Sequence, residues 1–484
     1  MTSIPPHFNR WRAFALLAVL YLMTTIDLTI VNVALPTIGR DLQFSHTNLQ
    51  WVATAYGLTF GGFLMFGGRA ADLVGRRQVL MAGLGLFTAA SLSCAVAPSD
   101  VFLIVSRAVQ GLGAAFMLPA ALSIVMNLFQ EGPERNKALG IWGALGAGGA
   151  SIGLLMGGLI TRFAGWPYIF FLNVPIGTIA LLLTRRMIPD SRPATARRRF
   201  DAAGVLAGTS GLVLLVEAIS QAPSYGWGTP RTVTVLAAAV ALLAAFVAIE
   251  HRVSDPILPL SIFRRRTLAG ANIAGLLLGG SFFAFFFIGT LYMQEVLHYS
   301  ALQTGLGWMA ASVTSVALAG LSQSLVTRVG PKAVMAAGLG MIGAGIIWAS
   351  QVPVHGHFIQ NLAGPIAVAG AGTAFSFIPI SIAALSGVGE DQAGLASALL
   401  NTSEQLGGAL GTAIASSIAA SQTVVLLHTG NAAPAALTGG FQHAFLVLGA
   451  TALIGAPVII ALIRRAAPRQ TENSASPDTL AATS

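Results

Sequence analysis

The chain has 484 residues, 55% of them hydrophobic and only 9% charged, with 26 Lys and Arg against 17 Asp and Glu. A soluble protein of this length would carry about a quarter charged residues, so the composition excludes a water-soluble enzyme and points to a multi-span helical membrane protein. The net charge of +9 sits between apolar runs, where it is an orientation signal and not a nucleic-acid surface.

Fourteen apolar segments follow in order, at 12–36, 48–70, 78–97, 101–128, 137–161, 167–184, 203–221, 232–250, 268–292, 301–326, 333–351, 358–385, 394–422 and 441–463. Most are close to the roughly 20 residues that carry a helix across a bilayer. The first is too long for a cleaved signal and is read as a retained span. Twenty-two of the 26 basic residues fall on the two termini and the loops of their side. Arg40, Arg162 and Arg231 lie on the opposite side, and Arg107 lies inside a segment. The positive-inside rule then puts both termini in the cytoplasm. DLVGRR at 72–77 is echoed by TRVGPK at 327–332. That placement predicts two six-helix halves, 1–184 and 267–465. A basic linker and two extra helices fill 185–266, and a polar, disordered tail occupies 466–484. The single cysteine, Cys94, leaves no internal disulfide.

Asp27 puts a carboxylate near the middle of the first segment. A charge at that depth costs from about 3 to more than 10 kcal/mol, according to how well neighbours and water reach it. Aspartate is too short to reach the membrane surface from there, so a position facing a wet cavity is expected; a helix-end carboxylate reaching water is the plainer alternative. In the next turn Gly68 and Gly75 permit close backbone approach. Asp72 there has Arg76, Arg77 or a neighbouring helix N-terminus as partner, unless this is an ordinary surface turn. Arg107, in the fourth segment, shares a helical face with Gln110, Gly111 and Ala114. An unpaired guanidinium would be costly, so carbonyls or a carboxylate are expected beside it, with Asp27 the leading candidate. The cation favours a charged carboxylate and burial a neutral one, a balance that would poise the acid to exchange a proton. The alternative is a structural arginine tying helix ends. In the fifth segment Gly149, Gly153 and Gly157, with Gly158 beside them, form a small-residue ridge for tight helix contact.

Further along, Glu217 in the seventh segment is either a proton or cation contact or a peripheral, water-reaching residue. In the ninth, Phe282, Phe283, Phe285, Phe286 and Phe287 cover every face, so some rings meet lipid. Others, Phe283 and Phe286 among them, are candidates to line a cavity for flat, apolar ligands. Trp51 and Tyr56 in the second segment are similar candidates with cation–π capacity. Asn401, Glu404, Gln405 and Gly408 share one face of the thirteenth. Glu404 is a candidate for binding a cationic substrate or a second proton, or for a polar contact between helices. His355 and His357 are an isolated pair, too few for a metal site. No phosphate-cradling Walker loop and no nucleophile–base pairing stands out, which argues against ATP-driven transport and against an enzyme.

Five stretches, in order and spacing, resemble one family: DLTIVNVALPTI (27–38), GRAADLVGRR (68–77), LIVSRAVQGLGAA (103–115), GWPYIFFLNVPIG (165–177) and AGLASALLNTSEQLGGALGTA (393–413). The chain is similar along all fourteen segments to the 14-span drug:proton antiporters of the major facilitator superfamily. It departs from their pattern at Leu154, where the export motif has Pro, at Pro167 and Tyr168, where Arg and Trp are usual, and at Glu404, often Arg or Gln.

The resemblance implies an all-α polytopic membrane protein of the major facilitator fold, with 14 transmembrane helices as two six-helix halves plus two extra central helices. It implies a multidrug efflux transporter of the bacterial inner membrane, working by alternating access without a cofactor and driven by the proton gradient. Its partners would be protons, the lipid bilayer and a lipophilic, cationic small-molecule substrate; a monomer is expected. Asp27 would be the main proton site, and the 68–77 turn would gate the cytoplasmic side. Export of a dedicated metabolite, peptide or lipid-like compound, symport, and a transport-dead sensor on the same fold remain open alternatives.

Overall fold

The structure, a computed structural model, describes residues 9–129, 133–188, 201–253, 256, 258, 265–385 and 390–462. Residues 189–200 of the basic linker, the side chain of Asp72 and the tail 466–484 lie outside the described residues. The first helices are α1 (Arg10–Asp41), α2 (His46–Leu49), α3 (Trp51–Val74), α4 (Arg76–Ala95), α5 (Asp100–Leu128), α6 (Pro133–Phe163), α7 (Pro167–Phe171) and α8 (Asn173–Met187). Then come α9 (Ala202–Tyr225), α10 (Pro230–Arg252), α11 (Arg266–Leu291), α12 (Ala301–Val329), α13 (Pro331–Ala349), α14 (Ala363–Leu385), α15 (Glu390–His428) and α16 (Ala433–Leu462). Single π-helical turns follow α11 and precede α14. Among the described residues twelve helices, with α7 and α8 counted as one, are long and apolar enough to cross a membrane. The two other long helices, α3 and α6, stand where the second and fifth apolar segments were expected.

Local chemistry sets the helix ends. The Asn9 side chain accepts from the Trp11 and Arg12 amides, and Ser99 accepts from that of Phe102. Ser300 and Gln303 close a capping box at the start of α12. One residue separates α3 from α4 and one separates α12 from α13: Gly75 at φ +121° and Gly330 at φ +85°. These are backbone conformations that a side chain would strain, and they give the DLVGRR and TRVGPK echo a common physical basis. Within 167–184 the chain breaks between α7 and α8, which starts α8 at Asn173.

Helices α1 and α3–α8 pack into one group and α11–α16 into another. Helix α9 lies over the seam, against both α3 and α15, and α10 packs mainly on α9. Glycines bring the backbones together. A Cβ at Gly149 would press on Leu22 and Thr25, one at Gly153 would sit 2.9 Å from the Ile26 carbonyl oxygen, and one at Gly157 would sit 2.6 Å from that of Ile30. The ridge therefore seats α6 on α1. Gly158 faces the other way. A Cβ there would lie 2.7 Å from Leu302 Cα, while one at Gly305 would lie 2.6 Å from the Leu154 carbonyl oxygen, so α6 and α12 close against each other across the two groups. Gln294 adds a bond to the Val33 carbonyl at 2.8 Å. Ile30 and Val33 lie in the half of α1 that ends at Asp41, away from the N-terminus.

Gly157→Val should lower the thermal unfolding temperature of the detergent-solubilised protein, since overpacking a tight contact costs about 1–3 kcal/mol. Gly140→Ala, at a helix position with open space around it, should be neutral or stabilising by up to about 1 kcal/mol. Equal effects from the two would contradict the role assigned to the ridge.

Candidate functional site

Six helices of the first group converge on Asp27. The side chain is 0% exposed, and Arg107 beside it is 1% exposed. Arg107 Nη1 donates to Asp27 Oδ2 at 2.7 Å and also to Gln110 Oε1, while Nε donates to the Val52 carbonyl at 2.8 Å. Asp27 Oδ1 accepts from Gln110 Nε2 at 2.9 Å and from Asn173 Nδ2 at 2.7 Å. Gln110 Nε2 also donates to Ser91 Oγ at 2.8 Å. Tyr56 lies over the guanidinium, its ring centroid 4.4 Å from Arg107 Cζ, and Phe170 lies 5.6 Å away. Two charges taken out of water are tolerated only when their remaining lone pairs and N–H groups find partners; here both carboxylate oxygens do.

Local sequence explains the geometry. Gln110 follows Arg107 by three residues and so stands on the same face of α5. The break before α8 lets Asn173 point inward from the start of that helix. Asp27 is therefore enclosed in this state and not open to a wet cavity as expected, because Tyr56, Phe170 and the Val52 backbone close around the pair. Asn173, Ser91, Val52 and Phe170 were not singled out from the sequence. An asparagine among apolar residues, just after Pro167, was the signal available for the first of them.

The remaining candidates scatter. Trp51 packs with Ala55, Leu58 and Val216, within hydrogen-bonding reach of the half-buried Glu217 on α9, so both stand at the α3–α9 seam. Gln221 joins them by donating to Asn48 at 2.9 Å. Tyr56 belongs to the arginine site. Phe286 is buried on Trp308, with ring centroids 4.4 Å apart, whereas Phe283 is 40% exposed and lies beside Gly408. Asn401 is exposed and bonds its own helix at the Ser397 carbonyl. Gln405 fills the notch left by Gly57 and Gly61. Glu404 stands apart from the Asp27 network, at the α11–α15 contact. In the 68–77 turn, Gly68 approaches Pro119, Arg77 donates to the Ile188 carbonyl at 3.2 Å, and Arg69 donates to that of Pro256 at 2.9 Å. Arg76 follows Gly75 at the first position of α4.

Residues 17–412 match the family described as Major Facilitator Superfamily. The chain is 36% identical over 446 residues to the puromycin resistance protein of Streptomyces alboniger, covering 91% of this chain and 88% of that one. It is also 36% identical over 463 residues to the cephamycin export protein of Amycolatopsis lactamdurans, covering 94% of each. The fold is similar to the crystal structure of an auto-inhibited POT family peptide transporter. That likeness has a TM-score of 0.69 at 14% identity and covers 96% of this chain and 99% of that one.

Removing one partner of a buried pair costs about 3–5 kcal/mol, because the other charge is left uncompensated. Asp27→Ala and Arg107→Met should each destabilise strongly. The double variant should lose at least about 1 kcal/mol less than the two losses added together. Strictly additive losses in thermal unfolding would mean that the pair is not coupled.

Proposed function

The chain belongs to the major facilitator superfamily and is a multi-pass membrane transporter, not an enzyme, and we propose that it is a proton-driven exporter of hydrophobic, cationic, drug-like compounds. In this reading fourteen helices cross a bacterial inner membrane as two six-helix halves with α9 and α10 as the extra pair. The arginine-rich end faces the cytoplasm. The halves rock about a midplane site, and the 68–77 turn gates the cytoplasmic side. The contact of α6 with α12 is the outer seal of the state described above. The names of the two relatives, one for resistance and one for export, support the direction.

The observation that carries the coupling is the donor set around Asp27: Arg107 Nη1, Gln110 Nε2 and Asn173 Nδ2. All three are N–H donors. A carboxylate suits them, but a protonated Asp27 brings an O–H for which none of these atoms is an acceptor, and it removes the countercharge of Arg107. A buried polar group without a partner costs about 1–3 kcal/mol, and a bare charge costs more. Taking up a proton therefore obliges the network to re-form, moving α1 relative to α5 and α8. Losing the proton to the cytoplasm restores it. Asp27 is the main proton site in this reading, and Arg107 passes its charge state to α3 through the Val52 carbonyl. Each 100 mV contributes about 2.3 kcal/mol per charge carried inward, so the net charge moved per cycle sets which substrate charges can be expelled.

A second reading keeps the fold and the proton and replaces breadth by one dedicated compound. The relative named for cephamycin export alone favours it.

Inverted membrane vesicles acidified inside and loaded with a pH-sensitive dye test the proton role. Lipophilic cations should collapse the gradient in the wild type and not in Asp27→Asn. An equal response in both would remove Asp27 as the proton site. A response only to a single neutral or anionic compound would favour the dedicated exporter.

A further inference from the structure

Helix α8 has two faces. Asn173, Gly177, Ala180 and Thr184 are buried, at the spacings of three and four that mark one side of a helix. A Cβ on Gly177 would strike the Thr88 hydroxyl of α4, so this side is seated on the bundle. On the other side Ile179, Leu182 and Leu183 are exposed, and Arg186 continues their row. These four residues and Arg185 line an open groove of about 400 Å³. Both arginines are exposed, and among the described residues neither has a hydrogen bond, an ion pair or a ring contact. No acid answers them from the helices that α8 mainly packs on, α4, α1 and α7. Helices α4 and α7 contain no Asp or Glu. On α1, Asp27 is bonded to Arg107, and Asp41, at the far end, accepts from Trp166 Nε1 at 2.9 Å. Glu134, at the start of α6, faces Arg10 at 3.4 Å. Arg77 brings a further guanidinium to this end of α8 by donating to the Ile188 carbonyl at 3.2 Å.

The exposed apolar face of a membrane helix meets acyl chains, and the residues that end such a face stand at head-group depth. From Ile179 to Arg186 the row is about 10 Å long, against about 15 Å of hydrocarbon in one leaflet. An arginine fork matches phosphate oxygens in bidentate pairs. A zwitterionic head group carries its own ammonium and leaves two adjacent guanidinium charges uncompensated, whereas an anionic one offsets them. A soluble anion would use the arginines and leave the apolar row idle. We infer that this groove binds an anionic phospholipid, its phosphate held by Arg185 and Arg186 and one acyl chain laid along Leu182, Leu183 and Ile179. The site needs only the membrane-spanning fold, so it stands apart from the exporter reading. It lies beside the 68–77 turn, to which Arg77 belongs.

The full-length protein in phosphatidylcholine nanodiscs, doped with a phosphatidylglycerol that carries a photoreactive diazirine in its acyl chain, tests this. Cross-links mapped by mass spectrometry should fall on the peptide that contains Ile179, Leu182 and Leu183. Unlabelled phosphatidylglycerol should suppress them at a concentration at least about tenfold below that of added phosphatidylcholine, since each arginine near the surface favours an anionic lipid. The double variant Arg185→Gln with Arg186→Gln should lose most of this label and all of the preference for the anionic lipid. Labelling of the lipid-facing helix α10 should be the same in both proteins, which shows that the variant is folded and embedded. Inorganic phosphate should leave the label in place. An undiminished label in the double variant, or competition by phosphatidylcholine equal to that by phosphatidylglycerol, would overturn the proposal. Displacement by inorganic phosphate would also overturn it, making the site one for a soluble anion.

Discussion

A carboxylate and a guanidinium buried side by side hold the first helical group in one arrangement. Neither Asp27 nor Arg107 has solvent to fall back on, so each depends on the other and on two neutral neighbours, Gln110 and Asn173, with Ser91 accepting from Gln110 behind them. Such pairs add little stability compared with apolar packing of similar volume, but breaking them is expensive. In the proposed cycle that asymmetry is the switch. The arrangement is firm while the carboxylate is charged and poorly matched once it is not, because the atoms facing it are donors. The guanidinium also bonds the Val52 backbone and lies under Tyr56, so a change at α1 reaches α3 and α5 together.

The glycines decide where that movement can be expressed. Backbone-to-backbone approach lets helices slide or part as rigid bodies, since no interdigitated side chains have to be withdrawn. The ridge on α6 fixes it to α1, and Gly158, on another face of the same helix, meets α12 of the second group. In the proposed cycle a shift of α1 is carried by α6 directly to the contact between groups. The α3–α15 contact works in the same way, with Gln405 seated against Gly57 and Gly61 and Thr402 bonded to the Gly61 carbonyl. Helix α9 spans that second seam and is tied to it through Gln50 and Ser220.

Much of this was legible in the sequence because ionisable residues in apolar segments are rare and must be accounted for. Asp27 and Arg107 stood out as the acid and base whose mutual burial would offset both charges, and helical spacing put Gln110 on the right face. The glycine ridge was readable from its period of four. Asn173 and Ser91 were not, since nothing local links the start of α8 or the middle of α4 to Asp27; only the tertiary fold brings them there. Trp51 shows the same limit. Its composition fitted a ligand contact, but the seam with α9 puts it beside Glu217, and no periodicity carries that information. In the phenylalanine run, periodicity could not tell which rings face in; packing on Trp308 buries Phe286 and leaves Phe283 exposed. The expected open cavity at Asp27 failed for a related reason. A sequence describes all states of a moving protein, and the structure holds one, with the pair enclosed.

The most direct test of proton-driven rearrangement at Asp27 is infrared difference spectroscopy of the protein in bilayers across an acid pH jump. The account predicts a protonated-carboxyl band that appears with a change in the guanidinium modes of Arg107, both missing in Asp27→Asn. A full wild-type difference spectrum in that variant would contradict it.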